Sequence, residues 1–266
     1  MLYSSDGVGY HLTMQRSVPR VIGITEKLLG RKIQTVFEMG ANDCNDTVGF
    51  SKLLPGAEIY AFECNSTVLP KDREVVGGLK NVTLVEKAVS DREGMLEFFP
   101  TTNGNTGASS LFKESASYNI EKYNQIKTVV ESTTIAHFAA QEGIDGVDLL
   151  WMDMQGAELV ALKGAGKFLS RVKIIHAEAE FREIYEGQPL FGAVKKYLED
   201  NGFVLYGFTH FGRYACDAIF VNESIPVSLL RRKFVYPFYE YLWKYVEFAR
   251  NIFVDRAKNI QPSQAG

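Results

Sequence analysis

Short apolar, β-prone runs recur along this chain, and stretches with helical spacing separate them. Thr35–Met39, Glu58–Phe62, 82–89, Val147–Met152, 172–179, 203–208 and 214–221 read as strands. Residues 20–30, 47–54, 159–168 and 191–201 read as helices. Such alternation predicts a doubly wound α/β sheet with helices on both faces. The last two strands lie a short turn apart and predict an antiparallel hairpin. About sixty residues separate the third and fourth strands. There, 94–99 and 127–132 read as extra strands, and 101–110 (TTNGNTGASS) reads as a loop rich in turn formers. Loops of that length usually serve function.

Sites in such a sheet lie beyond the carboxyl ends of its strands, so the residues there carry the argument. The first strand runs into Glu38-Met39-Gly40-Ala41-Asn42-Asp43-Cys44. Gly40 permits close approach of backbone and ligand. A pyrophosphate cradle needs three glycines and this turn has one, which argues against a dinucleotide oxidoreductase. The second strand ends in Ala61-Phe62-Glu63-Cys64, where an acid can accept hydrogen bonds from both hydroxyls of a ribose. The fourth ends in Asp153, followed by Met154-Gln155-Gly156-Ala157-Glu158. Glu158 falls in a first helical turn, where the macrodipole favours a carboxylate. His176, Glu178 and Glu180 alternate along the fifth strand and share one face. Glu178 is thereby a second acid near the acceptor, and His176 reads as a hydrogen-bonded core histidine.

Taken in order, these stretches resemble the FkbM family of S-adenosylmethionine-dependent methyltransferases. The resemblance rests on Glu38, Gly40, Ala41, Asn42 and Thr47; on Ala61, Phe62 and Glu63; and on Asp153, Gly156, Glu158, Leu162 and Gly164. Ala88-Val89-Ser90-Asp91 is similar to the family's adenine-side stretch, and Ser109-Ser110-Leu111 to its inter-strand loop. It covers residues 33–222. It implies a class I methyltransferase-like, Rossmann-like fold with a seven-stranded, mostly parallel sheet. It also implies O-methylation of a hydroxyl on a sugar, glycolipid or secondary metabolite. The donor would be held by Glu38, Gly40, Ala41, Asn42, Glu63, Cys64, Ala88, Val89 and Asp153. A hydroxyl acceptor needs its proton removed as it attacks, which assigns Asp153 first and Glu178 second. Some related sugar methyltransferases hold a divalent metal near this acid. The carboxylates here have no distinctive ligand spacing, so a metal stays unassigned. Three positions depart from the family's usual residues: Cys44 replaces Gly, Trp151 replaces Lys and Gln155 replaces Glu. Cys44 and Gln155 keep open a catalytically weakened binding scaffold as the alternative, ahead of a nucleotide-binding oxidoreductase.

The rest of the chain bounds partners and place. With 29 Lys+Arg against 32 Asp+Glu the net charge is -3, and no bulk electrostatic case for nucleic acid exists. Three cysteines, Cys44, Cys64 and Cys216, form no zinc or disulfide pattern, and both Cys44 and Cys64 are expected to border the crevice. Residues 1–13 lack an apolar signal core, and a cytoplasmic protein is expected. Residues 1–19 read as a lead-in, 20–222 as the methyltransferase domain and 223–266 as an aromatic, basic helical extension. Residues 225–266 carry a net +4, and 234–253 hold nine aromatics. A basic apolar helix of this kind suits its own domain, a second subunit or peripheral membrane contact.

Overall fold

The computed structural model describes residues 8–118, 121–212 and 214–227, with side chains from residue 18 onward. The aromatic extension expected beyond residue 227 lies outside them. In chain order the elements are α1 (Val8–Leu29), β1 (Thr35–Met39), α2 (Asn45–Leu53), β2 (Glu58–Phe62), α3 (Leu69–Val76), β3 (Val82–Val85), β4 (Ala88–Val89), β5 (Gly94–Phe98), β6 (Thr128–Thr133), α4 (Ile135–Gln141), β7 (Val147–Met152), α5 (Glu158–Gly164), β8 (Val172–Glu180), α6 (Phe191–Asp200), β9 (Phe203–Phe211) and β10 (Ala215–Asn222). Short 3₁₀ turns occupy Thr106–Ala108 and Gly166–Arg171.

Seven strands form one sheet in the order β3-β2-β1-β7-β8-β10-β9. The pairs from β3 to β8 are parallel, and β10 runs antiparallel between β8 and β9. This is the class I methyltransferase-like sheet, with the expected hairpin at its end. Every residue of β7 is buried, as a central parallel strand covered on both faces requires. Side-chain alternation splits the core. Phe37, Met39, Leu150 and Met152 pack with Phe138 of α4, Leu159 and Leu162 of α5 and Leu198 of α6. Val36, Leu149 and Trp151 face the other way, onto Val18 and Val21 of α1 and Phe50 of α2.

Several bounds differ from the sequence reading. The first helix begins at Val8 rather than at residue 20, so part of the expected lead-in is helical and Pro19 lies inside it. The expected strand 82–89 is two strands. Lys87 N turns back onto Val85 O at 2.9 Å, and Ala88–Val89 joins a separate sheet in the order β4-β6-β5. The α5 helix stops at Gly164 instead of running to 168. A Cβ on Gly164 would lie 2.0 Å from the Ser90 carbonyl oxygen, so only glycine lets α5 meet the turn after β4. Two helices, α3 and α4, were not expected. The sequence of α3, LPKDREVV, is half charged, in one central run that hides its apolar period. The hydroxyl of Thr134 caps α4 by accepting from His137 N at 3.0 Å.

Candidate active site

From β1 the chain proceeds to β2 and β3 on one side, and the sheet continues through β7 and β8 on the other. The crevice of a doubly wound sheet opens at that switch. Gly40 makes the junction possible. Its φ is 85°, and a Cβ there would lie 2.0 Å from the Asp153 carbonyl oxygen. Asp153 N donates to Met39 O at 3.0 Å, while Gly40 N and Ala41 N share Phe62 O at 3.0 and 2.9 Å. The loop closes at Cys44, whose φ of 58° and ψ of 21° are left-handed. That backbone shape explains a glycine as the family's usual residue. A cysteine there costs about 1–2 kcal/mol of local strain. Its sulfur is buried with Ala41, Ala61 and Val76, behind the loop rather than in the crevice. Burial, then Asp72, pushes the Cys44 thiol up to about 12.

Glu63 is the organising acid of this wall. One carboxylate oxygen accepts Cys64 N at 2.8 Å and Asn65 N at 2.6 Å, and the other accepts Asn42 N at 2.8 Å. Burial raises its pKa, and the three backbone donors oppose that rise. The carboxylate therefore locks the β1 and β2 loops together beside an open cleft.

That cleft encloses about 550 Å³, open solvent at its mouth included. Gly40, Asn42, Glu63, Cys64, Ala88, Val89 and Asp153 line it, as does Gln155. Phe62, Phe98 and Leu111 add apolar surface, enough for a flat ring. Residues 106–111 border it as a roof. The roof is fastened on one side by Asn65 Nδ2 to Ser109 Oγ at 3.3 Å. On the other, Ser110 Oγ donates to Gln155 O at 2.7 Å, and the Tyr185 hydroxyl lies 3.0 Å from Ala108 O.

Beyond Asp153 the strand ends gather carboxylates. Gln155 Nε2 donates to Asp153 Oδ1 at 2.7 Å and to Glu178 Oε2 at 2.9 Å. The Tyr185 hydroxyl sits 3.0 Å from Gln155 Oε1. Burial, then Asp153 beside it, holds Glu178 well above the ordinary carboxylate range. Asp217, opposite Glu178 on β10, and Asp46 of α2 are each pushed up to about 7, burial first and Asp153 second. Glu158 accepts Met154 N at 2.7 Å, and Glu180 accepts Gln188 Nε2 at 2.8 Å. Glu158 thus fixes the turn after Asp153 and does not face the cleft.

Of the residues expected to hold a donor, Glu38 and Ala41 are not on the cleft wall. Glu38 is 2% exposed and accepts the Thr47 hydroxyl at 2.6 Å. Burial, followed by Asp46, raises it well above its usual range. Cys64 lines the cleft, whereas Cys44 does not, contrary to the expectation for both. Glu178 sits behind the wall and meets Asp153 both directly, carboxyl to carboxyl, and through Gln155. His176 is a core residue, as read. It stacks on Trp151 with centroids 3.9 Å apart, bonds Thr209 Oγ1 at 2.8 Å, and burial lowers it to about 3. Asn65, Lys87, Phe98 and Tyr185 were missed. The turn-rich 101–110 loop and Ser109-Ser110-Leu111 signalled the roof, and nothing in the local sequence marked Tyr185. Among the described residues no three His, Cys, Asp or Glu are grouped to hold a metal ion. No described helix is long and apolar enough to cross a membrane.

A model of the methyltransferase FkbM domain matches residues 38–205. The 2-O-methyltransferase NoeI of Sinorhizobium fredii (strain NBRC 101917 / NGR234) is 30% identical over 170 residues, which are 60% of this chain and 69% of that protein. Among solved structures, magnesium protoporphyrin IX methyltransferase from Synechocystis PCC 6803 with bound SAM covers 83% of this chain and 87% of its own, at 14% identity and a TM-score of 0.44. A Methanococcus jannaschii fibrillarin pre-rRNA processing protein aligns over 72% and 67%, at 12% identity and a TM-score of 0.46.

Proposed function

The chain belongs to the FkbM methyltransferase family, and on that premise we propose that it moves a methyl group from S-adenosylmethionine to a hydroxyl of a small acceptor such as a sugar, glycolipid or secondary metabolite. The observation that carries this reading is one cleft lined by both Glu63 and Asp153. The residues present suit the donor. Glu63 stands at the end of β2 with acceptor capacity left on Oε2, which among the described residues takes only Asn42 N, and Phe62, Ala88, Val89 and Phe98 offer an apolar berth for adenine. S-adenosylmethionine, when bound, supplies an activated methyl on a sulfonium that leaves as the neutral thioether.

The chain's own task is then orientation and proton transfer. As the acceptor oxygen bonds to the methyl carbon, its proton passes to the Asp153 carboxylate, which is on the wall. Burial and Asp153 both disfavour charge on Glu178 and raise its pKa well above the usual range. It therefore holds its proton more tightly than an ordinary carboxylate and supports Asp153 rather than taking the hydroxyl proton itself. Residues 225–266 are the segment to which we assign any contact with a second subunit or lipid surface. Light scattering and liposome cosedimentation of a 1–224 truncation test that assignment.

Calorimetry with S-adenosylhomocysteine, followed by transfer of labelled methyl from S-adenosylmethionine to a panel of glycosides, tests the activity. Asp153→Asn should keep donor affinity and lower turnover ~10²-fold or more. Lack of donor binding would instead support a scaffold without catalysis.

A further inference from the structure

Gln155 stands where a second acid is the family's usual residue, and its surroundings give the change a purpose. We propose that Gln155 is a positioning residue: its amide clamps Asp153 to Glu178, and Tyr185 fixes which way the amide faces. The inference rests on Asp153 being the proton acceptor.

The geometry has one consistent assignment. Two carboxylate oxygens, Asp153 Oδ1 and Glu178 Oε2, lie 2.7 and 2.9 Å from Gln155 Nε2, and the two N–H groups of a primary amide serve both. The amide oxygen meets the Tyr185 hydroxyl at 3.0 Å. Flipping the amide would set its oxygen against Asp153 Oδ1, and the Tyr185 hydroxyl, which also faces Ala108 O at 3.0 Å, would lose Gln155 as an acceptor. Tyr185 is fully buried and stacks on Tyr123 with centroids 6.0 Å apart, so its hydroxyl is a fixed post. The backbone at Gln155 is fixed too. Its φ is 52°, and its carbonyl accepts from Ser110 in the roof.

The clamp matters because acids surround the pair: Asp46 from α2, Glu38 from β1, Glu158 from α5, Glu180 from β8, Asp217 from β10 and Tyr185, with Asp153 among the neighbours that raise each of them. Lys87 lines the same cleft and is paired with Glu131. Donors such as the Gln155 amide are what hold the two carboxyl groups in place among these acids. A glutamate at 155 would add a further acid and remove both donors.

Carboxyl-carbon NMR of the full chain without ligand, from pH 4 to 9, tests the clamp. Asp153→Asn and Glu178→Gln spectra assign the two signals. The wild type should show two separated steps shared by the pair. Gln155→Met removes both donors at similar length and should raise the lower step by about 1–2 pH units. Tyr185→Phe should move it the same way by less, because the amide keeps its donors but loses its anchor. If Gln155→Met does not fold, Tyr185→Phe decides alone. A lower step that stays within 0.3 units in each folded variant overturns the proposal. Retained turnover in Asp153→Asn would overturn the base assignment instead, and the NMR result would still stand.

Discussion

Asp72 offers a sharp test of the electrostatics behind the cleft. It lies on α3 with no exposed surface, and neither carboxylate oxygen has a hydrogen-bond partner among the described residues. Burial, then Glu63 and Asp43, pushes it from 3.8 up to about 7. The folded protein therefore binds this proton more tightly than the unfolded chain. Stability from this group is complete below about pH 4 and falls as pH rises, until the folded form also ionises near 7. A rise of about 3 units at ~1.4 kcal/mol each gives a total loss of about 4 kcal/mol, an upper bound. Most of the fall from pH 5 onward, some 2–3 kcal/mol by order of magnitude, is accessible to experiment. Asp72→Asn keeps the shape and cannot ionise. Urea unfolding of both proteins at pH 5, 6, 7 and 8 should show the variant gaining on the wild type as pH rises. A gap that stays constant with pH would refute the reasoning, because an effect of packing alone has no proton to lose.

Glu63→Ala should weaken S-adenosylhomocysteine binding at least tenfold, in line with ~1.5–3 kcal/mol for a charge-assisted bond. Unchanged affinity in a calorimetric titration, with the melting temperature held within a few degrees, would remove Glu63 from the donor site. Gly164→Ala should lower the melting temperature by several degrees, since its Cβ meets a backbone oxygen that cannot swing aside; a shift under 1 °C would show that α5 and the β4 turn slide apart freely. Timed alkylation read by peptide mass spectrometry should leave Cys44 and Cys216 unlabelled with or without S-adenosylhomocysteine, since both are buried. Cys64, on the cleft wall, should label slowly and be protected by that ligand; fast labelling of Cys44 would show that the Gly40–Cys44 loop opens.

Much of the site was legible because strand ends announce themselves. An apolar run that stops at Glu63 or Asp153 places that acid at the sheet's edge whatever the helices do. The strands β1, β2 and β7 matched their expected bounds for the same reason, being short, apolar and bounded by turn residues. Contacts between distant segments were not legible. Nothing near Tyr185 says that its hydroxyl reaches Gln155 and Ala108, 30 and 77 residues earlier. Glu38 misled for a related reason. Its position two before Gly40 suggests a ligand, but alternation points it toward α2, where Thr47 takes it. Cys44 differed from expectation because its side chain packs with Ala41, Ala61 and Val76, an apolar contact that adjacency to the crevice in sequence does not reveal.

The roof has a further consequence for how the cleft can be reshaped. The excursion that carries it leaves and rejoins the fold at nearly one place: Thr101 pairs with Gln125, and Ile126 N donates to Pro100 O at 3.0 Å. Its two ends meet like the neck of a bag, so its contents can lengthen or shorten at little entropic cost. The strands that hold Glu63 and Asp153 lie outside that neck and do not feel its length. Exchange of residues 101–125 between relatives is thus a graft at a closed junction. Such a graft should exchange the roof of the cleft while leaving the wall of Glu63 and Asp153 in place, provided the serine that reaches Gln155 is carried with it.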